Sequence, residues 1–149
     1  MKKIHILIVF IASFATISSA VTFRSMGLVH IYIDDSARNG CWTNILDARN
    51  YIEGSVVSKG GVVSRNPNVE GLTSNGNYRI MLSVLGSRLY SDGAGPCYGT
   101  VFIRLDGLEY IKADPVWVVF DEDWTVFAAN ENLNSFVLDR LSDFLKRLK

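Results

Sequence analysis

Tyr78-Arg79-Ile80-Met81-Leu82-Ser83-Val84-Leu85, the cluster Ser91-Asp92-Gly93-Ala94-Gly95-Pro96, and Tyr98-Gly99-Thr100-Val101-Phe102-Ile103-Arg104-Leu105 together decide the fold. In the first run Tyr78, Ile80, Leu82 and Val84 share one side, with Arg79, Met81, Ser83 and Leu85 on the other. In the last, Val101, Ile103 and Leu105 share a side and Phe102 opposes them. Period two reads as strand. The glycines and proline between the runs read as a turn. The sequence therefore predicts an antiparallel hairpin, its first strand running from Tyr78 to Leu85 or on to Tyr90 and its second closed by Asp106-Gly107. Such a hairpin has an apolar side that other elements must cover.

Upstream, Val29, Ile31 and Ile33 alternate with His30, Tyr32 and Asp34 in a further strand, ended by Asp34-Asp35-Ser36 and Asn39-Gly40. Thr43 or Asn44 then caps a helix, with Asp47 in the first turn, where the helix dipole favours an acid. Ile45, Ala48, Ile52 and Ser55 or Val56 recur at helical spacing, and Gly60-Gly61 stops the run. Val62-Val63 is a short strand, followed by a polar loop from Asn66 to Gly76.

Downstream, Pro115 opens an extended run, Val116-Trp117-Val118-Val119-Phe120. Asp121-Glu122-Asp123 interrupts it, and Trp124-Thr125-Val126-Phe127 continues after a turn. Leu133, Phe136, Val137, Leu141, Phe144, Leu145 and Leu148 then recur at three and four, with Asp139, Arg140, Asp143, Lys146 and Arg147 between them. This is an amphipathic helix capped by Asn130 or Asn132. The expected fold class is α+β: a two-layer sandwich, a mostly antiparallel sheet of four or five strands with two helices on one face. The first strand–helix–strand unit suits a right-handed parallel crossover.

The N-terminus reads as an export signal. Lys2-Lys3 precede the apolar run Ile6 to Ala12, and Ser18-Ser19-Ala20 offers small residues for cleavage near Ala20. A membrane-spanning helix needs about 20 apolar residues, more than this run holds before Ser13 and Thr16. Residues 1–20 are thus expected to be removed, leaving 21–149 as a single domain without a membrane span. That product is expected in the periplasm or outside the cell. The two cysteines, Cys41 and Cys97, both fall in the exported part and are expected to pair in an oxidising compartment.

The full chain carries 15 basic and 15 acidic residues. Subtracting Lys2 and Lys3 leaves 13 against 15, which gives no electrostatic footprint for nucleic acid. The catalytic sets are missing too. His30 is the lone histidine beyond the signal, read as a surface or edge residue, and no Gly-x-Ser-x-Gly elbow is present. No Cys/His cluster has zinc spacing, and Gly93-Ala94-Gly95 lacks the lysine and helix start of a phosphate cradle. No cofactor and no metal are expected. Asp106 and Asp114 read as turn residues beside Gly107 and Pro115.

Two groups remain as site candidates. Asp34, Asp35, Asp121, Glu122 and Asp123 would form an acidic site if their strands ended on one edge. The aromatics Trp42, Tyr98, Trp117 and Trp124 would form a binding surface if the sheet left a face uncovered. Tyr32, Met81, Leu85 and Phe102, or the residues on the opposite side, would lie on that face. The leading expectation is a non-catalytic module that binds another envelope or secreted protein. Two alternatives stand beside it: a small hydrolase or metal-dependent enzyme using the acids, and a carrier of a small apolar ligand held between sheet and helices. The sequence does not fix an oligomeric state.

Overall fold

The computed structural model describes residues 27–65, 77–90, 94–129 and 132–148. The export signal expected over residues 1–20 and its cleavage point lie outside these residues. The elements run β1 (Leu28–Ala37), α1 (Ile45–Ser58), β2 (Val62–Val63), β3 (Asn77–Arg88), β4 (Cys97–Ile111), β5 (Asp114–Ala129) and α2 (Asn134–Arg147). The strands form one sheet in the order β2-β1-β3-β4-β5. β1 is parallel to both β2 and β3, while β3–β4 and β4–β5 are antiparallel. The result is a mixed-sheet α+β sandwich whose antiparallel ladders are the longer ones.

The period-two pattern assigns the sheet faces. Val29, Ile80, Leu82, Val84, Val101, Ile103 and Leu105 are all buried on one face. Ala48, Ile52 and Val56 of α1 and Val137, Leu141, Phe144 and Leu145 of α2 join them in one core. Each fully buried aliphatic or aromatic side chain contributes about 1.5–3 kcal/mol. These side chains fill the space between sheet and helices.

Four strand readings change. β1 continues to Ala37, so Asp34-Asp35-Ser36 is strand and not loop. β4 runs through Asp106-Gly107 to Ile111, because Asp106 is buried and ion-paired to Arg79 and Arg104. The turn lies instead at Lys112-Ala113, both at positive φ, the backbone of a two-residue hairpin loop. Asp114 therefore opens β5. The acids at Asp121–Asp123 do not interrupt β5, which carries a single irregularity opposite Leu105/Asp106.

Side chains and a disulfide lock the helices to each other and to the sheet. Asn44 occupies the cap position of α1 but makes no capping bond; its Nδ2 donates to the Asn134 carbonyl. Asn134 Oδ1 accepts from the Thr43 backbone N–H at 3.0 Å, tying the two helix starts together. Asn132 Oδ1 accepts from Asn134 N–H at 3.1 Å, one residue before the cap position at Leu133. At the other end Lys59 Nζ donates to the Leu145 carbonyl at 2.7 Å and also to that of Leu148. Terminal helix carbonyls lack partners of their own, and a cation there also meets the negative end of the dipole. Lys59→Met is expected to cost about 1–2 kcal/mol in a urea titration; an unchanged midpoint would show that α2 does not depend on this cap.

Cys41 and Cys97 form a disulfide, with Cα atoms 5.6 Å apart. It links the β1–α1 connection to the first residue of β4. A disulfide fits a periplasmic or extracellular protein. Among the described residues no helix is long and apolar enough to cross a membrane.

Candidate functional site

Both helices lie on one side of the sheet, so the other side is the place to look for function. Strand register arranges that open face in rows. The first row is His30, Arg79 and Asp106. The next is Tyr32, Met81, Arg104 and Glu122, then Asp34, Ser83, Phe102 and Trp124, then Ser36, Leu85, Thr100 and Val126. Tyr32, Leu85, Trp124 and Val126 are exposed, while Met81 and Phe102 are half-buried between them. Tyr98, paired with Ala128, extends the apolar surface by one more row.

A charged cluster borders this surface. Arg79 grips Asp106 with two bonds, Nε to Oδ1 at 2.9 Å and Nη2 to Oδ2 at 2.7 Å. Arg104 Nε lies 2.8 Å from the same Oδ2. The guanidinium of Arg79 also stacks over Trp117, 4.4 Å from the ring centre. Two cations face one carboxylate, so the cluster is net positive. His30, read from the sequence as a surface residue, is only 2% exposed, and neither ring nitrogen has a hydrogen-bond partner. On the opposite, helix-covered side of the same strands, Gly107 sits where a Cβ would come within 2.6 Å of Phe120 and 3.0 Å of Tyr78. The absence of a side chain lets those two rings approach to 5.7 Å. Burial, and then the negative charge of Glu109, holds the Tyr78 phenol above its ordinary pKa.

The structure separates the five acids. β1 and β5 stand three strand spacings apart, roughly 14 Å. Asp34 faces the open side and accepts from Ser83 Oγ at 3.0 Å and Ser36 Oγ at 3.3 Å. Asp35 accepts from the Ala37 backbone N–H at 3.0 Å. Asp121 and Asp123 face the helices. Asp123 Oδ2 pairs with Arg140 at 2.7 Å, and Asp121 Oδ2 pairs with Arg147 at 3.3 Å. Glu122 alone of the triplet is on the open face, opposite Arg104. Among the described residues no three His, Cys, Asp or Glu side chains come together to hold a metal ion.

The four aromatic candidates also divide. Tyr98 and Trp124 are exposed on the open face, Trp117 lies under Arg79, and Trp42 is 4% exposed in the core with Cys41 and Cys97. Beside Tyr98, a groove of about 670 Å³ runs along the ends of β1 and β3, lined by Ser36, Arg38, Leu85 and Ser87 among others. Sequence reasoning missed Arg79 and Arg104. Each alternates with the buried residues of its strand, and that position was the available signal.

No protein-family model matches the chain, and no curated protein sequence matches it. Among solved structures it is similar to a dodecamer of a PelC point variant from Paraburkholderia phytofirmans, at 14% identity and a TM-score of 0.48 over 87% of this chain and 91% of that one. It is also similar to a Helicobacter pylori homolog of the neuraminyllactose-binding hemagglutinin, at 9% identity and a TM-score of 0.40 over 87% and 81% of the two chains. Likeness at this level carries no statement about function.

Proposed function

We propose that the chain is an exported, non-catalytic module that binds another envelope or secreted protein through the open face of its sheet. The observation that carries this reading is the one-sided covering of the sheet. Both helices pack on the Ile80–Leu105 side, leaving Tyr32, Met81, Phe102 and Trp124 as an apolar band across four strands. An apolar band of this extent, rimmed by Arg79, Arg104 and Asp34, has the composition of a protein contact surface. The acid-based enzyme reading draws no support from acids split between two faces. The carrier reading draws none from a helix–sheet interface filled by Ile52, Leu141 and Phe144.

The test is affinity capture of the tagged protein from its own cells and culture fluid, run beside two variants. Wild type is expected to recover one stoichiometric protein. Phe102→Asp, at the centre of the face, is expected to reduce that recovery at least tenfold, because it buries a charge in the contact. Leu46→Asp, on the exposed side of α1, is expected to leave it unchanged. Recovery that ignores Phe102→Asp, or no recovered protein at all, counts against the reading.

A further inference from the structure

β5 is the last strand of the sheet, and among the described residues β4 is the only strand beside it. Its outer backbone groups are a template for another strand. Proteins blunt such edges with lysine, proline, bulges or inward-pointing charge. The irregularity opposite Leu105/Asp106 leaves Phe120 without a register partner and bends the strand there. Beyond that point the sequence is Asp-Glu-Asp-Trp-Thr-Val-Phe-Ala-Ala, with no lysine, proline or glycine. Two of its three acids are turned away, since Asp121 and Asp123 are held by Arg147 and Arg140 on the covered face. Only Glu122 guards the edge. Next to it stand Trp124 and Val126, 71% and 74% exposed, the most exposed of the large hydrophobic side chains among the described residues.

From this edge we infer that the protein pairs with a second copy of itself, β5 against β5, antiparallel about a two-fold axis at Thr125. The occupant follows from what the edge demands. It must be a strand that sets apolar side chains against Trp124 and Val126 and keeps acids away from Glu122 and Asp123. The segment itself meets both demands. With the axis at Thr125, Trp124 lies opposite Val126 of the second copy, twice over. Thr125 meets its own equivalent, Asp123 lies opposite Phe127, and Glu122 lies opposite Ala128. Aromatic–β-branched and Thr–Thr pairs are the favourable cross-strand combinations. An axis at Glu122 or Asp123 would stack acid on acid, which is destabilising. An axis at Trp124 or Val126 forfeits both Trp–Val pairs. The axis at Thr125 stands perpendicular to the sheet, so the two sheets join into one of ten strands with both open faces on the same side.

The pairing is tested by analytical ultracentrifugation of the purified oxidised protein across micromolar to millimolar concentration. Wild type is expected to show a reversible monomer–dimer equilibrium. Val126→Glu sets two acids diagonally across the axis from Glu122 of the other copy and is expected to weaken dimerisation at least tenfold. The side chain is exposed, so the monomer fold should be unaffected, as checked by circular dichroism. Tyr32→Asp, on the same open face but on β1, three strand spacings from β5, is expected to leave the dimer intact. Failure of the edge and failure of the open face are thereby read separately. Thr125→Cys fixes the register: across an antiparallel pair the two Cα atoms lie about 4.5–5.5 Å apart, within disulfide reach. It is expected to cross-link under mild oxidation, while Ala128→Cys stays monomeric on a non-reducing gel. The inference is overturned by a monomer at all concentrations, by a dimer that Val126→Glu does not weaken, or by equal cross-linking at both positions.

Discussion

Asp106→Ala is expected to lower the unfolding free energy by about 3–5 kcal/mol, among the largest effects of any single substitution in this chain. The carboxylate is 1% exposed and meets two guanidiniums, Arg79 and Arg104, whose side chains are 19% and 26% exposed. Removing it leaves two half-buried cations facing each other without the carboxylate that joins them, with Glu122 opposite Arg104 the nearest acid in register. Their remaining exposure lets water recover part of the loss, which places the expectation in the lower half of that range. Two further variants separate the causes. Arg104→Met should cost less than Asp106→Ala, because Asp106 keeps its two-pronged bond to Arg79. The triple variant Asp106→Leu, Arg79→Met, Arg104→Met should recover most of the stability, since apolar packing often replaces a buried ionic cluster without loss. Urea titration at neutral pH reads all three. If Asp106→Ala falls within about 1 kcal/mol of wild type, the cluster does not hold the β3–β4 ladder and its role lies on the surface.

The faces of the sheet were legible in the sequence and the strand ends were not, for different reasons. Facing is a local property. Ile80, Leu82 and Val84 sort from Met81, Ser83 and Leu85 by alternation alone, and the structure keeps that sorting. Strand length depends on partners far along the chain. Asp106-Gly107 carries the local signature of a turn, yet Asp106 is drawn into the sheet by Arg79, 27 residues away. Gly107 serves the close approach of Tyr78 and Phe120. Asp121 and Asp123 resemble a break in β5 until α2 supplies Arg147 and Arg140, 26 and 17 residues downstream. The true turn, Lys112-Ala113, lacks the Gly or Asn that a positive φ favours, so nothing local marked it.

The candidate site was legible to the same extent. Alternation placed Tyr32, Met81, Leu85 and Phe102 together but could not say whether helices would cover them. Only the packing of Ile52 and Phe144 on the opposite side decides that. Composition alone grouped Trp42 with Trp124, although one is core and the other is 71% exposed. Residues on one strand can be sorted by period, whereas a loop residue such as Trp42 has no period to read.

Replacing the disulfide is expected to have an effect of the same size as Asp106→Ala, through the opposite state. Cys41 and Cys97 are both 0% exposed and lie 56 residues apart. Closing a loop of that length in the unfolded chain is worth about 4 kcal/mol on the chain-entropy model, so Cys41→Ala/Cys97→Ala should lose about that amount. A domain of this kind has only about 5–15 kcal/mol in total, and the variant should sit near the limit of folding at physiological temperature. The position magnifies the consequence. Cys97 opens β4 and pairs in register with Arg88 and Ala129, while the Cys41 carbonyl accepts from Leu133 N–H at 2.7 Å, just before α2. One bond therefore gathers the β1–α1 connection, the β3–β4 hairpin and the approach to α2. Two readouts distinguish the mechanisms. If the disulfide acts by restraining the unfolded chain, its loss should raise the urea m-value as well as lower the midpoint, because the freed chain exposes more surface. If it acts by holding these three segments in place, the m-value should stay constant while amide exchange rises at Leu133 and around Cys97. A loss below about 1 kcal/mol with neither change would mean that packing around Trp42 and Leu133 already fixes this corner, and that oxidation follows folding without driving it.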